Sequence, residues 1–271
     1  MKSGRLFSIV TVTRNDLAGL HATAASIREQ TSRDYEWIVI DGASSDETPR
    51  WLADNAGNGD VVVSEPDRGT YDAMNKGLDR ATGRYVVFLN SGDTLASPDT
   101  LGAVGAAVCA AEVEPDLVYG DSIDVPAGGN ELYRRSRRHV FLPYGMFTSH
   151  QAMYFRRARR PELRYDLQYP RSADFAFVCS FLRADAAGQA RCLYLPRPLC
   201  RFSLGGQHFT NREQAMLEDF RIRRRVLGQP LAMAAALYAL HRLHHATKLA
   251  APWLTRRLRY DTAAGGPSRV R

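Results

Sequence analysis

Residues 64–93, SEPDRGTYDAMNKGLDRATGRYVVFLNSGD, end in an apolar run, Tyr85-Val86-Val87-Phe88-Leu89, that delivers Asn90, Ser91, Gly92 and Asp93 to its carboxyl end. Upstream, Asp67, Gly69, Asp72, Asn75 and Gly77 crowd polar and glycine positions into a loop and a helix start. A buried strand with a carboxylate at its tip, preceded by such a loop and helix, is the pattern of an α/β ligand site. In open α/β sheets ligands bind beyond the carboxyl ends of the strands.

Working outward, the same alternation recurs. Phe7–Thr13 is a continuous β-branched and apolar run, the mark of a strand buried on both faces. Asp16 is placed to cap a helix over Leu17–Gln30, with Leu17, Leu20, Ala24 and Ile27 at helical spacing. Glu36–Ile40 is a second strand, and Pro49 suits the first turn of a helix running to Asn55. Val61–Ser64 is a third strand, Tyr71–Ala81 a helix and Tyr85–Asn90 a fourth strand, with a further helix from Ser97-Pro98-Asp99 to near Glu112. This alternation predicts βαβ units and a parallel sheet with right-handed crossovers. Asn15, Asp41, Glu65 and Asp93 all then fall on one sheet edge. Beyond it the expected elements are a strand at Leu117–Asp121, a hairpin through Gly128-Gly129-Asn130, a helix over Phe175–Leu182 opened by Ser172-Ala173-Asp174, and a strand at Cys192–Leu195.

Length and composition narrow the classes. A chain of 271 residues can bury a sizeable core, and no apolar run reaches the roughly 18 residues of a membrane span. The Leu6–Val12 run is too short for a signal peptide, which points to a cytoplasmic protein. Cys109, Cys179, Cys192 and Cys200 form no CxxC pair and no zinc-spaced cluster, the pattern of buried free thiols. GxGxxG after the first strand and GxxxxGK[ST] are both missing, which disfavours a dehydrogenase or a P-loop nucleotidase. Residues 200–271 carry 13 Lys/Arg against 4 Asp/Glu, whereas the first 199 carry 23 against 25. A basic tail on a mildly acidic body suggests an anionic surface as the tail's partner.

The order DGASSDET, EPDRGTYDAMNKG, FLNSGD, SHQAMYF, SADFAF and FSLGGQ resembles the family 2 glycosyltransferases, inverting enzymes of the GT-A fold, over residues 6–210. The likeness is closest to bacterial exopolysaccharide enzymes of the colanic-acid type. It implies an α/β GT-A (Rossmann-like) domain over residues 1–210. A nucleotide-sugar half, 1–125, would precede an acceptor half, 126–210, with basic amphipathic helices over 211–271. It further implies Asp174 as general base, and Asp93 with His208 at a Mg²⁺ or Mn²⁺ ion on the diphosphate. Thr13, Asn15, Asp41, Glu65, Asp67, Asp72, Asn75, Lys76, Ser91 and Gly92 would surround a UDP- or GDP-linked sugar, and His150 and Gln151 would line the acceptor side. The usual carboxylate-x-carboxylate motif appears here as Ser91-Gly92-Asp93, with its first carboxylate missing. The implied acceptor is a lipid-linked oligosaccharide. The tail then reads as an in-plane anchor that keeps the protein on the inner face of the plasma membrane. Two other classes remain open from sequence: a non-catalytic nucleotide-sugar binder, and a nucleic-acid binder using Arg134–Arg138 and Arg221–Arg225. For the latter the chain has no RRM, KH or helix-turn-helix signature.

Overall fold

The structure is a computed structural model that describes residues 4–57, 59–128, 130–184, 188–204 and 212–250. His208, the Gly205-Gly206 turn and the tail beyond residue 250, with Trp253, lie outside the described residues.

Strands β1 (Phe7–Thr13), β2 (Tyr35–Asp41), β3 (Val61–Ser64) and β4 (Tyr85–Phe88) form the parallel half of one sheet, in the order β3-β2-β1-β4. Helices α1 (Leu17–Arg28), α2 (Thr48–Asn55) and α3 (Thr70–Arg80) make the crossovers. The continuous apolar runs are explained by burial on both faces. Phe7 and Ile9 of β1 join one core cluster with Leu20, Ile27 and Trp37, while Val10 and Val12 join the other with Ile38, Ile40, Met74 and Phe88. Asp16 caps α1 as the spacing predicts, its Oδ1 accepting from the Gly19 N–H at 3.1 Å. Gly77 allows α3 to press on the sheet, since a Cβ there would stand 2.3 Å from Val10 Cγ1.

The second half is a mixed continuation. Beyond β4 the order is β8 (Met153–Arg156), β6 (Leu117–Val125), β9 (Cys192–Ser203) and β5 (Thr94–Leu95), with β7 (Leu132–Arg134) hairpinned onto β6. β8 runs antiparallel to both β4 and β6, and β9 runs parallel to β6. Helices α4 (Thr100–Ala110) and α5 (Ala173–Leu182) cover the two faces. β4 ends at Phe88, earlier than its apolar run, but Leu89 and Ser91 still donate to Val10 and Val12 carbonyls, so the path to Asp93 stays anchored on β1. β9 extends eight residues past the predicted strand. Its pairing slips between Gly120 and Ser122, where Pro198 replaces an N–H in the ladder. All four cysteines are free; Cys179 and Cys200 are buried as expected, whereas Cys109 is exposed near the end of α4.

The tail begins with α6 (Arg212–Arg225) and α7 (Leu231–Ala250), packed on each other, with α6 also packed on α5. Met216 and Ile222 of α6 and Ala234 and Leu237 of α7 are buried.

Candidate catalytic cleft

At the carboxyl edge Thr13, Asp41 and Ser64 stand side by side on β1, β2 and β3. Asp41 is fully buried. Its carboxylate accepts from the Ser44 N–H at 3.2 Å, from the Ser44 hydroxyl, and from the Ser64 hydroxyl at 2.6 Å. Asp41 therefore anchors the loop after β2. Asn15 closes that loop from the other side: its N–H donates to Ser44 Oγ and its Oδ1 accepts from the Ser45 N–H, both at 2.7 Å. Asn15 and Ala43 both adopt left-handed backbone, φ 50° and 54°, which marks strain held at a sheet tip. Among the described residues, Thr13 Oγ1 and Asn90 Oδ1 are buried there without a hydrogen-bond partner, polar atoms that a ligand could satisfy.

The polar residues of the 64–93 stretch divide their work. Asp67 Oδ1 accepts from the Gly69 N–H at 2.8 Å, and Gly69, at φ 119°, turns the loop into α3. Lys76 pairs with Glu65 at 2.9 Å and donates to the Pro66 carbonyl. Arg68 bonds Asp72 at 2.7 Å and holds its carboxyl below the usual range. Asn75 takes no part in this loop. Its amide brackets Tyr165, accepting from the Tyr165 N–H at 2.7 Å and donating to the Tyr165 carbonyl at 3.0 Å, and so ties α3 to the segment before α5.

At the tip of β4, Ser91 donates to Asp16 Oδ2 at 2.8 Å, and Gly92 turns at φ 88°. Asp93 is 4 % exposed. Its Oδ1 accepts from the Ser203 N–H at 3.0 Å and its Oδ2 from Gln151 Nε2 at 2.9 Å. Burial pushes its carboxyl up to about 7, against the pull of those two donors. A carboxylate has about four lone-pair sites, so two donors leave room for a cation. Among the described residues no cluster of three His, Cys, Asp or Glu side chains could hold a metal. The donor set thus fits an ion shared with substrate phosphates, where one or two carboxylates suffice, rather than one caged by protein alone.

Beside this edge lies a cleft of about 220 Å³ whose wall includes Tyr71, Asn90, His150, Gln151, Arg171 and Asp174. Asp93 stands directly behind Gln151. Asp174, in the first turn of α5, accepts from Tyr71 Oη at 3.2 Å and from the Phe175 N–H at 2.8 Å. His150 shares a hydrogen bond of 2.8 Å with Tyr165 Oη and stacks on Phe88, ring centroids 5.1 Å apart. Burial lowers it to about 4 although nearby Asp174 pulls the other way, so it is neutral at physiological pH. Tyr71 stacks on Tyr165 at 5.5 Å. An aromatic ladder thus links His150 to Asp174. Tyr71, Tyr165, Asn90 and Arg171 were not singled out as site residues by sequence. Tyr71 and Asn90 carried a signal as members of the 64–93 stretch, and Tyr165 as the first residue of a YDLQY segment that also fits the resemblance.

Comparison with known proteins places these features. The chain is 38% identical over 182 residues to a PGL/p-HBAD biosynthesis glycosyltransferase of Mycobacterium bovis, covering 64% of this chain and 68% of the relative. It is 31% identical over 225 residues to an uncharacterized glycosyltransferase of Mycobacterium tuberculosis, covering 82% and 84%. Staphylococcus aureus TarS in complex with UDP-GlcNAc superposes with a TM-score of 0.64 at 16% identity, covering 86% of this chain and 70% of the other. The mannosyltransferase PcManGT of Pyrobaculum calidifontis, in complex with GDP-Man and Mn²⁺, gives 0.62 at 18% identity, covering 92% and 82%. Both confirm the expected GT-A fold. The family model "Glycosyl transferase family 2" matches residues 8–189, from β1 to just before β9 and so across the cleft wall except Phe202, and the chain belongs to that family as a glycosyltransferase.

Proposed function

We propose that the protein is an inverting glycosyltransferase. It moves a sugar from a UDP- or GDP-linked donor to a lipid-linked saccharide acceptor during synthesis of an exopolysaccharide or related surface glycan. The observation that carries this reading is the placement of Asp174 and Asp93 about one cleft: Asp174 in its wall, Asp93 behind Gln151. The bound UDP-GlcNAc and GDP-Man of the structural neighbours support a nucleotide-sugar donor, and the relative named for PGL/p-HBAD biosynthesis supports a glycan-building role.

In this reading the loop held by Asp41, Asn15 and Ser44 receives the nucleoside, with Thr13 at the edge, and Asp93 faces the diphosphate. The acceptor hydroxyl attacks the anomeric carbon from the side opposite the leaving group. Its proton passes to Asp174, and the nucleoside diphosphate departs. Tyr71 donates to Asp174 and holds it in place; burial raises the Tyr71 hydroxyl well above its ordinary range, so it stays a donor. Asp93, with His208 as the implied second ligand, would hold Mg²⁺ or Mn²⁺, which stabilises the charge of the leaving diphosphate. Neutral His150 and Gln151 are hydrogen-bonding groups for acceptor hydroxyls.

The tail is proposed as the membrane-facing part. Leu240 and Leu243 of α7, adjacent on one side of the helix, are 57% and 64% exposed, with Arg242 between them in sequence. Such an apolar face flanked by cations suits an anionic bilayer surface. No helix among the described residues is long and apolar enough to cross a membrane.

The test begins with a thermal-shift panel of UDP-, GDP- and dTDP-hexoses, with and without Mn²⁺, to identify the donor. Asp174→Asn is then assayed with that donor. It should fold and bind the donor normally, yet turn over about 10²–10⁴-fold more slowly. Near-normal turnover would remove Asp174 as the base.

A further inference from the structure

Helix α6 lies beyond residue 189, outside the segment that matches the family. Yet it carries two buried charged side chains, Glu218 and Arg223, whose partners lie close in sequence to residues of the cleft wall. Glu218 Oε2 accepts from the Arg171 N–H at 2.8 Å and from the Ser172 N–H at 2.9 Å, while its Oε1 accepts from Gln214 Nε2 at 3.0 Å. Ser172 is the N-cap residue of α5, but its own side chain makes no capping bond; its hydroxyl donates to the Ala215 carbonyl instead. Glu218 therefore does from a distance what the glutamate of a capping box does locally, by bonding the N-cap amide. It satisfies N–H groups at the start of a helix and sets a negative charge on its positive end. Asp174 is the second residue of that helix.

The same helix holds the opposite wall. Arg223 donates from Nε to the Pro143 carbonyl and from Nη2 to the Tyr144 carbonyl, both at 3.2 Å. Its guanidinium lies over the Phe175 ring, 5.3 Å from the centroid. The turn it grips, His139–Tyr144, leads into Met146 and Thr148 of the cleft. α6 is thus a brace between the two walls, fastened within three residues of Asp174.

We infer that Glu218 is a positioning residue for glycosyl transfer: by bonding the Arg171 and Ser172 amides it fixes the start of α5 and so the direction in which Asp174 meets the acceptor. The inference rests on Asp174 being the base. It makes the start of the tail part of the catalytic machinery rather than an appendage.

The experiment uses the full chain, with release of nucleoside diphosphate from the hexose donor found in the thermal-shift panel as the activity readout. Glu218→Met keeps the length and removes both acceptor oxygens. It should lower kcat about 10–100-fold, as misplacement of a reacting group does, while the donor KM stays within about twofold. Hydrogen exchange at the Arg171 and Ser172 amides should speed up. Added to Asp174→Asn, Glu218→Met should cost nothing further, because the two act as one unit. Glu218→Gln, which keeps one acceptor oxygen, should fall between wild type and Glu218→Met, and it carries the test if Glu218→Met does not fold. Wild-type kcat and exchange in Glu218→Gln and Glu218→Met would overturn the inference, as would a full independent loss on the Asp174→Asn background. An active Asp174→Asn would instead overturn the base assignment itself.

Discussion

At the scale of single residues, burial decides what each polar group can do. Asp41 and Asp93 both end up inside, with opposite consequences. Asp41 meets Ser44 and Ser64 and holds a loop. Among the described residues Asp93 meets two donors, and desolvation pushes it up to about 7. His150 is held neutral by the same cause, with its imidazole lowered to about 4. The sign of its effect on stability follows. Between pH 6.5 and 4 the unfolded chain takes up a proton at this position and the folded protein does not. Its contribution is therefore complete above about 6.5 and fades as pH falls toward 4. His150→Gln should flatten the acid side of the stability curve by up to the order of 3 kcal/mol. Denaturant melts at pH 7.5 and pH 4.5 read this directly, and parallel losses in both proteins would count against a neutral buried imidazole.

Among the elements, α3 does more than cross between two strands. Its apolar side fills the core through Ala73 and Met74, Gly77 sets its distance from β1, and Asn75 reaches over to bracket Tyr165. The aromatic ladder from His150 through Tyr165 to Tyr71 thus depends on one amide. In Asn75→Ala the Tyr165 N–H and carbonyl lose their partner. Such a loss costs about 1–3 kcal/mol where the groups stay out of water. The expected result is a lower denaturation midpoint with an unchanged slope, together with weaker acceptor binding and intact donor binding. Loss of donor binding instead would return Asn75 to the nucleotide-site role that the resemblance implies for it.

Across the whole molecule, positive charge gathers in the tail, where some of the exposed apolar side chains also lie. The body is slightly acidic and the tail carries the excess of positive charge. α7 buries Ala234 and Leu237 and leaves Leu240 and Leu243 outside. Replacing both exposed leucines by serine removes little folded-state packing, so Tm should hardly change. If the helix docks on a bilayer, each leucine contributes roughly 1.5–3 kcal/mol of burial there, or about tenfold or more in affinity. Co-sedimentation with phosphatidylglycerol vesicles should therefore collapse in Leu240→Ser/Leu243→Ser. Binding equal to wild type would leave the exposed face to another partner.

The amino-acid sequence by itself determined the parallel half of the sheet and the edge on which its chemistry gathers. Those features follow from local periodicity: β1, β2 and β4 are runs of apolar residues that only a two-faced strand can bury, and each is followed by polar groups at its tip. The second half was less legible. The full length of β9 is hidden by Pro196 and Pro198, and β5 spans only two residues. Only the tertiary structure decided that Asn75 serves Tyr165, that Asp93 sits behind Gln151, and that Glu218 reaches the helix of Asp174. Those contacts join residues 90, 58 and 46 positions apart. No periodicity encodes such pairs. They form because packing the two halves of the sheet and α6 around shared cores buries polar groups that must then find partners wherever the fold has brought them.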